Sequence, residues 1–373
     1  MSFGIDNLPY GSVIGADGRR FAAARFGADV LDLSHLDPDL FAGGTLDAFL
    51  AGGRPIWTRV RADVVDALTA DRYPLTPLAD VTPVLAFTVA DYVDFYASEH
   101  HATNAGRIFR PDGAALTPNW KHQPLGYHGR SGSVVVSGTD VPRPRGQFLD
   151  GDAVTFGPTR RLDFEAEVAF VVGRPGSRIA VADADDHIFG VCLLNDWSAR
   201  DMQGFETSPL GPFLGKSFAT SIGAWITPLD ALAGVRTAPR QDPLPLPHLR
   251  ETDPAHGLRL DLEVRINGQV VSRPPFGAMY WTYAQMLAHL TSNGSSVRAG
   301  DLFASGTVSG PDRGHRGCLL ELTWNGAEPL DRGDGATGTW LEDGDEVTIA
   351  ATAGAVTLAE VRGRVLPSVS ADP

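Results

Sequence analysis

The chain has 373 residues, 43% of them hydrophobic and 20% charged, and its 31 Lys+Arg against 45 Asp+Glu give a formal net charge of −14. These proportions are typical of a globular protein with a sizeable core and argue against wholesale disorder. The acidic balance repels phosphate backbones and anionic lipids, so neither nucleic acid nor a membrane is expected as a partner.

The amino-terminal segment Met1–Tyr10 contains Asp6 and has no basic stretch followed by an apolar run, so we do not interpret it as a signal peptide. No uncharged apolar stretch approaches the roughly 18 residues that are needed to span a bilayer. We therefore expect a soluble, cytoplasmic protein.

Residues 1–85 are predicted to form a separate amino-terminal unit. The segments Phe21–Arg25 and Val30–Leu33 have strand-like composition and lie between glycine-rich turns. Helices are expected over Thr45–Ala51 and around Ala62–Leu68. Prolines recur through residues 74–83, and this spacing is typical of a linker to the rest of the chain.

Residues 86–373 are predicted to form a second, larger unit that is rich in strands. Strand-length runs of β-branched or alternating residues occur at Ser133–Gly138, Asp163–Val172, Ile188–Leu194, Leu258–Ile266, Glu321–Trp324 and Val347–Ala351. Helical patterns occur at Asp91–His101, Ala199–Phe205 and Tyr280–Thr291, and the proline-rich stretch Ala238–Ala255 indicates a surface loop. Because strands outnumber helices and no regular βαβ alternation is present, we expect a mostly β roll or sandwich with a few helices.

The stretch Leu162–Val172 combines acidic and apolar residues in alternation. In a strand, this alternation would place Asp163, Glu165 and Glu167 on one face and apolar side chains on the other. Such a pattern fits a half-exposed sheet with an acidic outer face. It also fits a site in which Glu165 and Glu167 share one cation, and the spacing leaves both interpretations open.

A second acidic candidate, Asp196, follows an apolar run at the point where a strand is expected to turn into a helix. Asp196 could serve as the N-cap of that helix, a common role for Asp. If the helix begins there, the spacings to Arg200 and Gln203 would place all three side chains on one face. A carboxylate, a guanidinium and an amide just beyond a buried strand favour a functional site.

The stretch Asp91–Asn104 mixes aromatic residues with Asp94 and His101, but it has no HExxH motif and so is not a zincin site. Taken alone, His101 fits a histidine at the surface or at the edge of the core. Two carboxylates about 4 Å apart repel by roughly 4 kcal/mol at an effective dielectric of 20. If Asp94 joins Glu165, Glu167 and Asp196, the four therefore need a cation, and an all-oxygen set favours Mg²⁺, Ca²⁺ or Mn²⁺.

Two further features argue against other chemistries. Gly211–Ser217 resembles a phosphate-binding loop, but three residues separate its glycines where the motif needs four, and Pro212 has no N–H to bind a phosphate. Lys216 is better interpreted as a cation close to the acidic residues. Cys192 and Cys318 lack CxxC partners, which argues against a disulfide framework and against a zinc site.

Several segments in a fixed order resemble the fumarylacetoacetate hydrolase family over nearly the whole chain. They are Asn7–Gly11, DFYASEHHATN (94–104), PNWKHQPLGYHGR (118–130), LDFEAEVAF (162–170), NDWSARDMQ (195–203), PLGPFLGKSF (209–218) and ASGTVSG (304–310). The long, eukaryotic-type form with its own amino-terminal domain is the nearest likeness. The resemblance implies a small SH3-like β barrel over residues 1–85, a mixed β-sandwich roll over residues 86–373, and a homodimer.

The resemblance also implies an activity, namely hydrolysis of a carbon–carbon bond in a small diketo acid during the breakdown of tyrosine and phenylalanine. The cofactor would be a divalent metal, Mg²⁺ or Ca²⁺, with Mn²⁺ possible. Its implied ligands are Asp94, Glu165, Glu167 and Asp196, with Lys216 and Thr220 near the outer shell.

The remaining roles follow from the same resemblance. It implies that His101 is the catalytic base and that Glu321 orients it. The implied oxyanion-stabilising group is Arg200, Gln203 and Lys216. The implied substrate contacts are Tyr96, Arg110, Tyr127, Gln203, Gly306 and Thr307.

One departure from the family pattern concerns the segment after Gln203, where Phe205 replaces an expected Trp and Thr207 replaces a Tyr. This change bears on substrate range more than on reaction type. The alternatives are an acylpyruvate or other diketo-acid hydrolase, decarboxylase or isomerase on the same fold, or a non-catalytic metal-binding scaffold. The amino-terminal unit and the Asp94–Asn104 stretch favour the long-form hydrolase over the first group. A base and an oxyanion group together argue against a scaffold.

Overall fold

A computed structural model describes residues 3–331 and 337–369. Its α-helices are α1 (Asp47–Ala51), α2 (Gly53–Thr69), α3 (Glu99–Phe109), α4 (Ala184–His187), α5 (Arg200–Glu206), α6 (Leu214–Ser217), α7 (Tyr283–Thr291) and α8 (Leu319–Leu322). Its strands are β1 (Tyr10–Ile14), β2 (Arg20–Phe26), β3 (Asp29–Asp32), β4 (Thr76–Pro77), β5 (Thr82–Val84), β6 (Asp91–Phe95), β7 (Gly126–His128), β8 (Val134–Val136), β9 (Val141–Pro142), β10 (Arg145–Asp150), β11 (Ala153–Pro158), β12 (Leu162–Asp163), β13 (Ala166–Val172), β14 (Gly176–Ser177), β15 (Ile188–Asp196), β16 (Ser198–Ala199), β17 (Thr220–Ile222), β18 (Trp225–Pro228), β19 (Arg236–Thr237), β20 (Gly257–Leu258), β21 (Asp261–Ile266), β22 (Gln269–Ser272), β23 (Ser296–Val297), β24 (Asp301–Ala304), β25 (Leu330–Asp331), β26 (Thr337–Gly338), β27 (Glu346–Ala353) and β28 (Val356–Leu366).

One large sheet runs through both halves of the chain in the order β4-β3-β2-β1-β18-β15-β13-β24-β6-β7, with β5, β8 and β17 attached. Its central strand β13 pairs antiparallel with β15 on one side and with β24 on the other. Strand β6 then pairs parallel with β24. The strands that carry the acidic candidates therefore lie in one sheet, with β15 next to β13 and β6 separated from β13 by β24.

Both faces of β13 are covered, which explains why its sequence is apolar at every position after Glu167. On one face Val168 and Phe170 pack in a core that includes Val264 and Ile349 of a second sheet, ordered β22-β21-β27-β28-β9. On the opposite face, Ala169 packs in a second core that includes side chains of α1 and α2. The main sheet thus lies between a smaller sheet and the amino-terminal helices.

The prediction of a mostly β chain with a few helices is confirmed. The expected strands at Phe21–Arg25 and Val30–Leu33, and the expected helices at Ala199–Phe205 and Tyr280–Thr291, are present within one to three residues of their predicted bounds. Helix α7 begins with a capping box, in which Thr282 accepts from the N–H of Gln285 and the Gln285 side chain accepts from Thr282 N–H.

The predicted helix over Asp91–His101 is wrong in its first half. Residues 91–95 form strand β6, because this segment pairs in register with β24 and with β7. The helix α3 begins only at Glu99, where the hydroxyl of Ser98 accepts from the N–H of His101 as an N-cap. This break separates Asp94 and His101 onto two different elements.

Two other predicted strands differ. Glu321–Trp324 is not a strand, since Leu319–Leu322 form the short helix α8, whose first N–H groups are bound by the carboxylate of Asp163. Asp163–Val172 is not one continuous strand, because pairing is interrupted between β12 and β13. The acidic side chains of this stretch are buried, so the alternative of an exposed acidic face is wrong.

The predictions around Asp196 are also corrected. Asp196 ends strand β15, and helix α5 begins at Arg200 with Ala199 as its N-cap residue. Asp196 is therefore neither the N-cap nor on one helix face with Arg200 and Gln203. Tertiary pairing of β15 with β17 holds Asp196 in extended backbone instead.

The first 85 residues share the main sheet with the rest of the chain, since Tyr10 and Gly11 of β1 pair with Ile226 and Trp225 of β18. The stretch 74–83 is not a simple linker, because β4 pairs with β3 and β5 pairs with β1. The division at residue 85 and the SH3-like barrel stay predictions. In the described ranges no helix has both the length and the apolar character for crossing a bilayer.

Replacing Gly106 with Ala should destabilise the protein, although Ala is the better helix former. A Cβ at this position of α3 would lie 1.8 Å from the carbonyl oxygen of Ala115. Overpacking of this kind costs about 1–3 kcal/mol. Urea unfolding of Gly106→Ala would measure the loss. Gly204→Ala in α5 is the matched control, because its Cβ would meet nothing within 4 Å, and it should gain up to about 1 kcal/mol. Equal stabilities for the two variants would contradict this packing.

Candidate active site

Four buried carboxylates meet at the ends of the central strands. Asp94 lies in β6, Glu165 just before β13, Glu167 in β13 and Asp196 at the end of β15. One oxygen of each lies within 4.8 Å of one oxygen of every other. The sheet produces this meeting, because antiparallel β15 brings Asn195 opposite Ala166, while β24 brings β6 alongside β13.

The ammonium of Lys216 and two hydroxyl groups donate hydrogen bonds to this carboxylate cluster. The ammonium of Lys216 donates to Glu165 and, at 2.9 Å, to Asp196 Oδ2. The hydroxyl of Tyr127 lies 2.8 Å from Asp94 Oδ2 and 3.0 Å from Asp196 Oδ2. Thr220 Oγ1 donates to Asp196 Oδ1 at 3.2 Å. Lys216 and Thr220 thus lie where the resemblance placed them, beside the acidic residues.

The electrostatics of the cluster are uneven. Burial, together with the neighbouring Asp196, raises the pKa of Asp94 to about 8. Burial and the nearby carboxylate of Asp94 likewise raise the pKa of Glu167 well above its ordinary value. Burial would also raise the pKa of Glu165, but the cations Lys216 and Arg200 outweigh burial and lower it. The side of the cluster farther from those cations therefore lacks compensating positive charge.

The residues present fit a divalent metal. Asp94 Oδ1 and Glu167 Oε1 are buried and have no hydrogen-bond partner within the described part of the chain. A buried carboxylate oxygen without a donor is costly, and a metal ion would satisfy it. All four groups offer hard oxygen ligands, which suit Mg²⁺, Ca²⁺ or Mn²⁺.

His101 and Glu321 form a buried pair next to the carboxylate cluster. His101 Nδ1 lies 2.6 Å from Glu321 Oε2. His101 comes from α3 and Glu321 from α8, which lie 220 positions apart in the chain. Burial opposes the ionised form of Glu321, but His101 and the surrounding donors outweigh burial and lower the pKa of this carboxyl. An ionised Glu321 accepts a hydrogen bond from Nδ1–H of His101. This bond keeps the proton on Nδ1, so the lone pair of the imidazole lies on Nε2.

Three further side chains contact the carboxylate of Glu321, and the sequence did not identify them as part of the site. Asn104 Nδ2 donates to Glu321 Oε1 at 2.8 Å, and Ser309 Oγ donates to Oε2 at 2.8 Å. Cys318 Sγ lies 3.3 Å from the same Oε2. The spacing of three between His101 and Asn104 puts both on one side of α3, and this spacing was the only available signal.

Arg200 and Gln203 lie beside the carboxylate cluster on α5. Arg200 Nη1 donates to Gln203 Oε1 at 3.0 Å and lies 2.8 Å from Glu165 Oε1. Arg200 Nη2 lies 2.8 Å from Asp163 Oδ2 as an ion pair, and within residues 3–331 and 337–369 it makes no further contact of hydrogen-bond geometry. With Gln203 Oε1 occupied by Arg200, the amide group of Gln203 is left as a donor.

Two of the four carboxylates, Asp94 and Glu165, line one cavity of about 380 Å³. All six of the predicted substrate contacts line it, namely Tyr96, Arg110, Tyr127, Gln203, Gly306 and Thr307. His101, Arg200 and Lys216 line it as well. A larger groove of about 750 Å³ beside Arg259 and Tyr280 is lined neither by the His101–Glu321 pair, the dyad, nor by the four carboxylates. The smaller cavity is therefore the candidate active site.

The predicted substrate contacts differ in their exposure and in whether their polar atoms already have hydrogen-bond partners. Arg110 is exposed at the end of α3, and its Nη2 donates to the carbonyl of Ala115 at 2.9 Å. Thr307 Oγ1 is buried without a partner in the described residues. The Tyr96 ring meets the His101 ring edge-on with centroids 5.2 Å apart. The hydroxyl of Tyr127 is already held by the carboxylate cluster.

Gly306 allows the backbone to approach the cavity closely. Its φ of +73° lies in the left-handed region, and a Cβ would lie 2.2 Å from the carbonyl oxygen of Phe95. Its N–H donates to Glu167 Oε2 at 3.1 Å. A larger residue here would displace both the cavity wall and one carboxylate of the cluster.

Comparison with known proteins gives consistent results. Residues 91–365 match the family model described as fumarylacetoacetate (FAA) hydrolase C-terminal, and residues 6–86 match the one described as fumarylacetoacetase N-terminal. The chain is 44% identical to a fumarylacetoacetase of Arabidopsis thaliana over 93% of this chain and 91% of that protein. It is 42% identical to a fumarylacetoacetase of Caenorhabditis elegans over 98% and 97%.

Among solved structures, the fold is similar to that of a maleylpyruvate hydrolase from Sphingobium sp. SYK-6, crystallised with manganese(II) and pyruvate. The TM-score is 0.59 at 16% identity, covering 97% of this chain and 100% of that one. At this identity the likeness concerns the fold alone.

A divalent cation should stabilise the protein through the carboxylate cluster. At a free concentration of 100 times its Kd, an ion that binds only the folded state adds about 2.7 kcal/mol to the free energy of unfolding. Glu167→Ala should abolish this gain, because it removes a ligand from the metal site. Thermal unfolding with Mg²⁺ or Ca²⁺, and again with a chelator, would measure it. Asp301→Asn, a buried carboxylate paired with Arg298 outside the cluster, should keep the gain. A full gain in Glu167→Ala would remove Glu167 from the ligand set.

Proposed function

The chain belongs to the fumarylacetoacetate hydrolase family, and from that membership we propose that it hydrolyses fumarylacetoacetate to fumarate and acetoacetate. In this role it would act in the breakdown of tyrosine and phenylalanine. One observation carries the proposal: His101, held by the buried Glu321, lines the same cavity as Arg200 and as Asp94 and Glu165 of the carboxylate cluster. A base, a group of donors and a metal-binding set are the parts that carbon–carbon hydrolysis of a diketone needs.

The first step requires a nucleophile. Nε2 of His101 takes a proton from a water molecule in the cavity, and the resulting hydroxide attacks the carbonyl carbon of the fumaryl unit. Glu321 favours this transfer, because its negative charge stabilises the imidazolium that forms. Tyr96 packs edge-on against the His101 ring and so restricts its orientation.

The second step develops negative charge on the former carbonyl oxygen. The amide nitrogen of Gln203 makes no hydrogen bond within the described residues, and Arg200 Nη2, although paired with Asp163, carries a second N–H; both can therefore donate to that oxygen. Lys216 adds positive charge from the floor of the same cavity. These groups are held in place before the charge forms, which is why they stabilise the transition state rather than only the substrate.

The third step breaks the bond between the attacked carbon and the neighbouring methylene carbon. The electron pair goes to the methylene carbon, and the proton held by His101 completes acetoacetate, while the hydroxyl group stays with fumarate. A divalent ion held by Asp94, Glu165, Glu167 and Asp196 would supply Lewis-acid polarisation of the diketone oxygens.

We propose that Arg110 binds one carboxylate end of the substrate, because a guanidinium pairs with a carboxylate through two parallel N–H donors. Thr307 Oγ1 offers a further unpaired hydroxyl in the cavity. Tyr127 contributes its ring to the cavity wall, since its hydroxyl serves Asp94 and Asp196.

Thr207, which stands where the family pattern has a Tyr, lines the same cavity. Thr207 is exposed on its wall, and its hydroxyl donates to the carbonyl of Gln203. Phe205 is 39% exposed and lines a neighbouring groove. Thr207 therefore leaves the cavity wider than a Tyr would, which favours tolerance of bulkier diketo acids.

Three finer points complete the proposal. Mg²⁺ or Ca²⁺ is the proposed metal, because carboxylate oxygens are the ligands these ions prefer. Mn²⁺ is the third candidate, in line with the Sphingobium complex. We also propose a cytoplasmic homodimer, the state implied by the family resemblance.

His101→Phe should lower kcat at least about a hundredfold, the low end for losing a general base, while metal affinity stays nearly unchanged. Steady-state kinetics and isothermal titration calorimetry with the metal would separate the two effects. His100→Phe is the matched control, because the adjacent His100 lines a different groove, and its turnover should stay close to that of the unmodified chain. Near-normal turnover in His101→Phe would contradict the base role.

The proposed activity is tested by the loss of ultraviolet absorbance of fumarylacetoacetate on mixing with the purified protein and Mg²⁺ or Ca²⁺. Rapid loss that yields fumarate and acetoacetate, and that a chelator stops, is the expected result. A folded, metal-loaded protein that leaves this substrate unchanged would overturn the proposal. Activity on an acylpyruvate instead would identify a sister hydrolase.

A further inference from the structure

We propose that Asp163 is a positioning residue that holds Arg200 and the helix carrying Glu321 in one rigid arrangement. The inference rests on the proposed function, because it assigns Asp163 a role in the same site. Asp163 does not line the cavity, so it acts through its two partners rather than on the substrate. It belongs to neither the carboxylate cluster nor the dyad.

Asp163 is fully buried, with 0% of its surface exposed. Its Oδ1 accepts from the N–H of Phe164 at 2.8 Å and from the N–H of Leu319 at 2.7 Å. Its Oδ2 accepts from the N–H of Leu320 at 2.9 Å and from Arg200 Nε at 2.8 Å. Every group that binds this carboxylate is a donor.

Two of the three backbone donors, the N–H groups of Leu319 and Leu320, belong to the first turn of α8. The first N–H groups of a helix have no partner within the helix. A carboxylate accepts hydrogen bonds from them and interacts favourably with the partial positive charge of that helix end. Glu321 is the third residue of this four-residue helix. Asp163 therefore fixes the backbone that carries the acceptor of His101 Nδ1.

The other partner, Arg200, is held on one edge of its guanidinium. Nε donates to Asp163 Oδ2, and Nη2 lies 2.8 Å from the same oxygen. This contact turns Nη1 toward Glu165 and Gln203. The Asp163 carboxylate thus sets the distance between Glu321 on α8, which binds the proposed base, and Arg200 on α5, the proposed oxyanion donor.

The chemistry makes the arrangement specific for a carboxylate. In Asp163→Asn, the amide nitrogen must replace one of the two oxygens, and at either place its hydrogens face N–H donors. The variant keeps the size of the side chain but cannot accept all of these bonds, so α8 or Arg200 must shift. A displacement of about 1 Å in a catalytic group costs about a hundredfold in rate.

The test compares Asp163→Asn with the unmodified chain, whose own turnover of fumarylacetoacetate first establishes that the proposed function holds. The variant should lose about a hundredfold in kcat per folded molecule, with metal affinity by calorimetry unchanged. In an Arg200→Gln background, the same substitution should cost less than a hundredfold, because the share of the loss that acts through Arg200 is already absent and only the share that acts through α8 remains. Asp32→Asn is the matched control, as Asp32 is a buried carboxylate that binds Arg19 and the N–H of Ser34, and it should keep normal kcat.

An Asp163→Asn protein that is less stable but turns over at the normal rate would overturn the proposal, since Asp163 would then be only structural. So would a full, additive loss in the Arg200→Gln background. If Asp163→Asn does not fold, Arg200→Lys keeps the cation and removes the Nε contact, and it should lower kcat at least about tenfold. Normal kcat in Arg200→Lys would show that the fixed guanidinium contributes nothing. An inactive unmodified chain would instead contradict the proposed function.

Discussion

Four carboxylates buried within 4.8 Å of one another are the constraint on which the rest of this structure depends. Each pair repels by roughly 4 kcal/mol at 4 Å and an effective dielectric of 20, so the four cannot remain ionised without cations. Lys216 and Arg200 compensate the side of Glu165 and leave Asp94 and Glu167 with raised pKa values. The unsatisfied oxygens of those two residues are where a divalent metal would restore the balance.

The elements around the four buried carboxylates supply them with hydrogen-bond donors. A strand buried on both faces has no solvent to screen its side chains, so β13 can hold a carboxylate only where neighbouring elements bring donors to it. The N–H of Gly306 after β24 donates to Glu167 of β13, while Lys216 on α6 and the hydroxyl of Tyr127 on β7 donate to the carboxylates of the other strands. The amino-terminal helices and the second sheet exclude water from the two faces, and that exclusion strengthens each of these interactions.

The same principle organises the dyad. Glu321 is fully buried, and His101, Asn104, Ser309 and Cys318 all direct polar atoms at its carboxylate. A buried acid surrounded by donors stays ionised, and an ionised acid fixes the tautomer of the histidine beside it. Asp163 is likewise buried and surrounded by donors. The candidate site is therefore a set of three buried acidic groups, each held by donors from separate elements.

The sequence by itself determined the fold class, the family and the residue types of the site. The motifs around Asp94, Glu165, Asp196 and Lys216 are local and occur in a fixed order, and alternation or spacing identified several strands and helices correctly. It could not show that Asp91–Phe95 is a strand or that Glu321 lies on a helix, because pairing with β24 and capping by Asp163 override weak local preferences. Nor could it reveal Asp163, Asn104 or Ser309 as part of the site. Their roles arise from contacts with residues distant in the chain, and only tertiary packing decides which donors face a buried carboxylate.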